Sequence, residues 1–245
     1  MKKVILLGWI LVGLLVFSVD AEGQTRKLRK ELEDRIEVLS GEFGEIPEDR
    51  KRVLEELGDY IYESAVAEVP AKLLVICTHN SRRSHIGQLW LHAAAAWYGV
   101  GDVQVFSGGT EATAFNPRAV QALKRSGFAF QKTAGGENPS YSAFIMRDGA
   151  KDSGILMFSK KFGHSQNPSE GFAALMVCSD ADKSCPIVPG ADFRFSLPYD
   201  DPRYFDGTPS EAMQYDATVQ LIGREMLYAV FQAKQKLILA GEKQK

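Results

Sequence analysis

A single cysteine stands between a buried strand and a helix, in the segment CTHNSRRS at residues 77–84. The apolar run LLVIC that ends at Cys77 is typical of a strand buried on both faces, and a helical pattern follows from His85. Backbone N–H groups at the start of a helix form a cradle for an oxyanion, and the positive potential there stabilises a thiolate. Cys77 is therefore predicted to be a nucleophile that attacks a tetrahedral oxyanion.

Two side chains of this loop suit that chemistry. Arg83 can bind two oxygens of the anion and stabilise the charge that grows in the transition state. Ser84 can donate a hydrogen bond to the sulfur of Cys77. A buried cysteine beside a basic turn is the alternative, but the strand before the loop and the helix after it favour the catalytic interpretation. The residues expected to surround the oxyanion are Thr78, His79, Asn80, Ser81, Arg82, Arg83 and Ser84.

A general acid for the leaving oxygen is predicted in the segment LPYDDPRYF. Attack of a thiolate on a phosphoryl group needs such an acid. Asp201 precedes Pro202, which keeps it in an extended conformation after a predicted strand. Asp200 is the competing candidate, and a polar turn without a catalytic role is the alternative.

The elements that must position these residues alternate between strands and helices from residue 70 onward. The strand candidates are LLVIC, VQVFSGG, GILMFS, FAALMVCSD and FRFSLPYDD, with helical patterns among them and at the C-terminal end. This alternation predicts an α/β three-layer sandwich with a mostly parallel sheet of four or five strands, over residues 70–240. The segments TAGGENPSYS and KKFGHSQNPSEG are predicted to be surface loops or insertions.

Two regions precede this domain. Residues 22–69 are rich in charge and carry two apolar stripes, which predict a two-helix extension that packs on the domain. A lid or a surface for a partner is the alternative.

Residues 1–21 combine a basic start with an apolar run too short for a membrane span of about 20 residues, and we predict a secretory signal peptide. An uncleaved membrane anchor is the alternative. The protein is expected to be exported, with no stable membrane contact after signal cleavage.

Composition narrows the range of functions. The chain has 245 residues and a net charge of −2, so it lacks the basic field that nucleic-acid binding needs, and no nucleic-acid partner is expected. Its three cysteines, Cys77, Cys178 and Cys185, are too few for a disulfide scaffold. Three cysteines without closely spaced histidines do not supply the four ligands of a zinc site, so no metal is expected.

The region from about residue 72 to 237 resembles the low-molecular-weight protein-tyrosine phosphatase superfamily, and within it the thioredoxin-coupled arsenate reductases. VICTHNSRRS is similar to the phosphate-binding loop, and VFSGGTEATAFNPRAVQAL is similar to the second strand and following helix. The DDP motif is similar to the general-acid loop, and VCSDADKSCP to the redox segment of the reductases. The resemblance implies that Cys77 is the nucleophile, that Arg83 and Ser84 bind the oxyanion, and that Asp201 is the acid.

The resemblance also implies a redox role for Cys178 and Cys185. Cys77 forms an adduct with arsenate, Cys178 attacks the sulfur of Cys77 and releases arsenite, and Cys185 then closes a disulfide with Cys178. An external thiol reductant such as a thioredoxin-like protein reopens that disulfide, and no bound cofactor is implied. A structural disulfide between Cys178 and Cys185 is the alternative, because an exported protein meets an oxidising environment.

The sequence is compatible with three functions. The first is arsenate reduction, and the second is hydrolysis of an aryl phosphate such as phosphotyrosine through a phosphocysteine. Anion binding without turnover is the third, and it is disfavoured because the nucleophile, the arginine, the serine and the acid are all present. Residues 133–171 form a longer segment than is usual in the family. Its aromatic residues Tyr141, Phe144 and Phe158 either anchor the segment on the core or recognise a phosphotyrosine ring.

Overall fold

Four parallel strands form the central sheet of the protein. The computed structural model describes residues 28–147, 154–184 and 187–242. The strands of this sheet are β1 (Ala71–Cys77), β2 (Val103–Gly109), β6 (Phe172–Met176) and β7 (Ala191–Ser196). They lie in the order β2-β1-β6-β7, and each neighbouring pair is parallel. The predicted α/β fold with a parallel sheet is confirmed, with four strands in that sheet.

The central strands bring their carboxyl ends to one edge of the sheet. Cys77 pairs with Gly109 in the register of β1 and β2, and Ile76 pairs with Met176 in the register of β1 and β6. In open α/β sheets ligands bind at this edge, in the crevice outside the strand ends. Every residue of β6 is buried, as expected for a parallel strand covered on both faces.

The helices of the described residues pack on this sheet and on each other. They are α1 (Lys30–Gly41), α2 (Glu48–Val66), α3 (Arg83–Tyr98), α4 (Pro117–Arg125), α5 (Ser179–Ser184) and α6 (Glu211–Glu242). Helices α3 and α6 approach each other closely at Gly223, where an added Cβ would lie 2.5 Å from the ring of Trp90. Glycine is therefore required at this crossing.

The two predicted N-terminal helices are present and pack against α6. Their apolar stripes are fully buried and join the main core, through Leu32, Ile36, Leu39, Leu54, Leu57 and Ile61. Burial of a leucine or isoleucine side chain stabilises a fold by about 1.5–3 kcal/mol, so this extension contributes substantially to the core. The division of the chain between residues 69 and 70 stays a prediction.

A second sheet corrects the prediction for the segment after α4. The stretch TAGGENPSYS, predicted to be a surface loop, has its two ends in β3 (Ala129–Ala134) and β4 (Ser140–Phe144), and only its middle, residues 135–139, is a loop; β5 (Ile155–Met157) is the third strand. The three strands are antiparallel in the order β3-β4-β5, so GILMFS does form a strand but belongs to this sheet. The hairpin turns at Gly136, whose φ of 91° favours glycine. Polar residues along β3 conceal the strand in the sequence, since most of them face solvent.

The predicted signal peptide, residues 1–21, lies outside the described residues. So does Cys185. Over the ranges that the structure describes, no helix is long and apolar enough to cross a membrane.

Candidate active site

Cys77 ends β1 and begins the loop that leads into α3. Its side chain is buried, with 3% of the residue exposed. Asn80 turns this loop, because its φ of 43° lies in the left-handed region that asparagine tolerates better than most residues. Helix α3 then starts at Arg83, so the predicted strand, loop and helix follow one another as the sequence indicates.

Ser84 connects Asn80 to the sulfur of Cys77. Asn80 Nδ2 donates to Ser84 Oγ at 2.8 Å, and Ser84 Oγ lies 3.1 Å from Cys77 Sγ. Since the amide nitrogen of Asn80 can only donate, the hydroxyl oxygen of Ser84 accepts this bond, and its proton is left to donate to the sulfur. This arrangement directs a hydrogen-bond donor at the sulfur of Cys77.

Arg83 reaches from the loop to the segment after β7. Its Nη1 donates to the carbonyl oxygen of Tyr199 at 2.7 Å, and its Nη2 donates to Asp201 Oδ2 at 2.6 Å. The Nε of Arg83 is buried without a partner among the described residues. That N–H group can donate to a bound oxyanion, because a buried donor gains most from a new partner.

Asp201, rather than Asp200, is the carboxylate that the fold brings to the loop. Asp201 is 7% exposed and also accepts a bond from the backbone N of Arg203 through Oδ1, at 3.1 Å. It thereby caps a short 3₁₀ turn, Pro202–Phe205. Asp200 is exposed, although it also lines the depression in front of the loop. The other residues that line this depression are Thr78, His79, Arg83, Ser179, Asp180, Tyr199, Asp201, Arg203 and Tyr204.

The side chains of Arg82 and His79 have protein partners. Arg82 Nε donates to the hydroxyl of Tyr215 at 2.9 Å, and Arg82 Nη2 lies 3.6 Å from Asp206. His79 Nε2 lies 3.6 Å from a carboxylate oxygen of Glu111. Both residues were predicted to surround the oxyanion. Arg82 does not line the depression, whereas His79 lies at its side.

The segment after β5 forms hydrogen bonds with the loop, a contact that the sequence pattern does not predict. Ser159 Oγ donates to the carbonyl oxygen of His79 at 2.9 Å, and the backbone N of Lys160 donates to Asn80 Oδ1 at 2.8 Å. From the other side, the backbone N of Asn116 donates to the carbonyl oxygen of Ser81 at 2.9 Å. These three hydrogen bonds hold the backbone conformation of the loop at His79, Asn80 and Ser81. None of them involves Cys77.

Buried nitrogen bases lie behind the loop. Burial lowers the pKa of Lys160 to about 8, and burial together with the charge of Lys160 lowers the pKa of His85 to about 3. His85 is therefore neutral at ordinary pH and does not act as an acid or a base there. Its ring contacts that of Phe115 at an interplanar angle of 35°, with centroids 4.1 Å apart, and its Nδ1 lies 3.2 Å from Ser107 Oγ.

Cys178 lies at the end of the strand next to the nucleophile. Its sulfur is buried, is a free thiol, and lies 3.3 Å from Thr78 Oγ1. The backbone N of Ala181 donates to this sulfur at 3.4 Å, at the start of α5. Helix α5 ends at Ser184, immediately before Cys185. The fold therefore brings Cys178 beside the loop, and Cys185 stays a prediction.

The aromatic residues of the long segment mainly anchor it. Tyr141 contacts Phe115 and Phe130 edge to face, and Phe158 contacts His164. Tyr141, Phe144 and Phe158 do not line the depression; the tyrosines there are Tyr199 and Tyr204. No group of three or more His, Cys, Asp or Glu side chains that could bind a metal occurs within residues 28–147, 154–184 and 187–242.

Curated proteins include clear relatives of this chain. Arsenate reductase 2 of Staphylococcus epidermidis is 31% identical over 128 residues, which are 52% of this chain and 75% of that protein. The chain belongs to the arsenate reductase family. The arsenate reductase of Bacillus subtilis is 29% identical over 136 residues, 56% of this chain and 77% of that protein. The predicted resemblance to this branch of the low-molecular-weight protein-tyrosine phosphatase superfamily is confirmed, and the chain is an enzyme of that superfamily.

Two further comparisons add little to this family assignment. No family model matches the chain. The structure of a low-molecular-weight phosphotyrosine phosphatase from Vibrio cholerae has a TM-score of 0.45 and 16% identity, and the match covers 66% of this chain and 95% of that one. The membership in the arsenate reductase family rests on the sequence relatives.

Proposed function

We propose that this protein reduces arsenate to arsenite with Cys77 as the nucleophile and Cys178 as the resolving thiol. The observation that carries the proposal is the placement of Cys178 Sγ 3.3 Å from the hydroxyl of Thr78, the residue that follows Cys77. Both thiols are buried at adjacent strand ends. A resolving thiol must lie close to the nucleophile, whereas a phosphatase needs none.

The reaction begins with the attack of the Cys77 thiolate on the arsenic atom of arsenate. One arsenate oxygen takes up protons and leaves as water, while arsenic stays in the +5 state. Ser84 donates to the sulfur before the attack, and the unpartnered Nε of Arg83 donates to one of the remaining oxygens. Asp201, paired with Arg83 in the structure, takes up a proton from solvent or from the arsenate monoanion and delivers it to the leaving oxygen.

Resolution transfers two electrons to arsenic. The thiolate of Cys178 attacks the sulfur of Cys77, and the electron pair of the sulfur–arsenic bond stays with arsenic, which leaves as arsenite in the +3 state. Cys185 then attacks Cys178 and expels the thiolate of Cys77. The disulfide between Cys178 and Cys185 takes two electrons from an external dithiol of the thioredoxin class. Because α5, Ser179–Ser184, separates the two cysteines along the chain, this short helix must unwind before their disulfide can form.

Hydrolysis of an aryl phosphate is the second candidate function. It uses the same Cys77, Arg83 and Asp201, with water in place of the resolving thiol. Arg203 and Tyr204 line the depression, and Tyr204 is 72% exposed, which suits contact with an aromatic leaving group. Anion binding without turnover is less well supported, because the acid and the nucleophile both lie at the site.

The site of action that we propose is outside the cytoplasm, on the basis of the signal-like residues 1–21. The external reductant is then a thioredoxin-like protein of that compartment. Such a reductant is needed there because an oxidising compartment favours the disulfide between Cys178 and Cys185.

A comparison of two assays tests the proposed function. Turnover is measured with arsenate plus thioredoxin and, separately, with an aryl phosphate. We expect Cys77→Ser to abolish both activities, and Cys178→Ser to abolish repeated arsenate turnover while aryl phosphate cleavage continues. Undiminished arsenate turnover in Cys178→Ser would exclude the resolving role. Undiminished turnover in Cys77→Ser would exclude Cys77 as the nucleophile.

A further inference from the structure

We propose that Arg82 is a positioning residue for the general acid, and that it acts by clamping both ends of the acid turn. The acid turn is defined here as residues 201–206, the 3₁₀ turn Pro202–Phe205 with its flanking Asp201 and Asp206. This inference rests on the proposed function of Asp201. It assigns a distinct task to the loop residue that lies between Ser81 and Arg83 and that does not line the depression.

The contacts of Arg82 span the acid turn from one end to the other. At the start of the turn, Arg82 Nε lies 3.9 Å from Asp201 Oδ1. At its end, Arg82 Nη2 lies 3.6 Å from Asp206 Oδ2. Tyr215 of α6 closes the arrangement, since its hydroxyl accepts from Arg82 Nε at 2.9 Å and donates to Asp206 Oδ1 at 2.8 Å. One loop side chain thus connects the turn to α6.

The surroundings make this clamp effective. The side chain of Arg82 is 14% exposed and that of Asp201 is 8% exposed, so water screens their attraction less than it screens a surface pair. Burial and the bond to Asp206 raise the pKa of Tyr215 to about 12, so its hydroxyl remains a donor at working pH. Arg118 is a second cation beside Asp206, at 3.7 Å, and it also pairs with Glu211.

Substrate binding creates the need for such a clamp. In the structure Asp201 is paired with Arg83, which is also the residue that binds the oxyanion. When Arg83 turns its donors to the oxyanion, Asp201 loses part of this pairing and must still face the leaving oxygen. Arg82 and the bond from Arg203 N then orient it. Loss of Arg82 is therefore expected to slow proton transfer rather than thiolate attack.

The kinetic test uses aryl phosphates with a range of leaving phenols. We expect Arg82→Met and Tyr215→Phe to lower kcat on the order of tenfold for phenyl phosphate, a part of the roughly 10²–10⁴-fold that general acid catalysis contributes. The loss should disappear for a dinitrophenyl phosphate, whose leaving group needs no proton. In the Asp201→Asn background Arg82→Met should add no further loss. Matched controls are Arg147→Met, whose partner Glu33 lies in α1, and Tyr228→Phe, bonded to Glu55.

Amide hydrogen exchange gives a second readout that does not need turnover. Arg82→Met should speed exchange at Arg203 and Asp206, whose N–H groups bond within the acid turn, while the two control variants should not. Unchanged exchange, an equal kcat loss for all leaving groups, or full additivity with Asp201→Asn would each overturn the clamp. If the wild-type enzyme shows no turnover that depends on Cys77, the proposed function is wrong. The hydrogen-exchange rates at Arg203 and Asp206 would still show whether Arg82 holds the acid turn.

Discussion

Arg83 donates to the carboxylate of Asp201 at 2.6 Å, although the two residues lie 118 positions apart in the chain. Both are buried, and a buried charge is tolerated when it is paired and hydrogen-bonded. The pair joins the loop that surrounds Cys77 to the turn that carries the acid. It also distinguishes Asp201 from its exposed neighbour Asp200.

Replacement of Asp201 tests the choice between these two carboxylates. We expect Asp201→Asn to slow aryl phosphate cleavage by roughly 10²–10⁴-fold, because the leaving oxygen loses its proton donor. The loss should fall mainly on kcat and should shrink for acidic leaving phenols. Asp200→Asn is the matched control and should retain most activity. A crippled Asp200→Asn with an active Asp201→Asn would show that the acid is misassigned.

Removal of the Ser84 hydroxyl tests the activation of the nucleophile. A hydrogen bond to a charged group contributes about 1.5–3 kcal/mol, which corresponds to a loss of roughly 10–100-fold in Ser84→Ala. The rate of Cys77 alkylation at a fixed pH should also fall in this variant, since the sulfur has lost a hydrogen-bond donor. Ser40→Ala, which removes a hydroxyl bonded to Tyr98, is the control. An unchanged alkylation profile in Ser84→Ala would contradict this role.

Lys160 is expected to reduce stability at neutral pH. It is 5% exposed, and no carboxylate lies within ion-pair distance of it among the described residues. Burial lowers its pKa from 10.5 to about 8, so below pH 8 the folded state carries a buried charge that the unfolded state keeps in water. Between pH 8 and 10.5 the unfolded chain binds more protons, and stability contributed by this residue rises with pH.

The free energy of unfolding of Lys160→Met at pH 7 should therefore be about 1–3 kcal/mol larger than that of the wild type. A contact of the ammonium group with the ring of Phe158 offsets part of this gain. The difference should shrink as the pH rises from 8 to 10.5, as measured by denaturant unfolding at several pH values. The exposed neighbour Lys161 supplies the control Lys161→Met. A less stable Lys160→Met at pH 7 would refute the expectation.

The helical extension is connected to the site through a buried ion pair. Arg50 of α2 donates to both carboxylate oxygens of the fully buried Glu225, at 2.5 and 2.6 Å. Tyr199 donates to the same carboxylate at 2.5 Å, and its carbonyl oxygen accepts from Arg83. Loss of one partner of a buried pair costs about 3–5 kcal/mol, so Arg50→Met should destabilise the fold by that amount.

Denaturant unfolding of Arg50→Met, Glu225→Gln and the double variant measures this coupling. We expect the double variant to be less destabilised than the sum of the single ones, because no charge is then left buried alone. Arg52→Met, at an exposed position of the same helix, should change stability little. Equal effects of Arg50→Met and Arg52→Met would show that the buried pair contributes nothing.

The sequence predicts local features of this fold better than distant contacts. The strand, loop and helix around Cys77 were predictable because a buried apolar run, a polar loop and a helical pattern follow directly along the chain. Asp201 was predictable as a candidate from Pro202, but its pairing with Arg83 depends on the tertiary fold. The second sheet was missed because β3 is polar and exposed. The bonds of Ser159 and Lys160 to the loop were missed because they depend on the tertiary fold: Ser159 ends the predicted strand GILMFS, and Lys160 begins a segment predicted to be a surface loop.

Mass spectrometry of the cysteines after one arsenate turnover tests the central claim most directly. The reduced wild-type enzyme is mixed with arsenate without any reductant, quenched with an alkylating agent and digested. The account predicts one equivalent of arsenite, a disulfide between Cys178 and Cys185, and alkylated Cys77. An enzyme that forms no arsenite and keeps Cys178 alkylated, while it cleaves aryl phosphates at full rate, would contradict the reductase function and leave phosphatase activity as the function of this site.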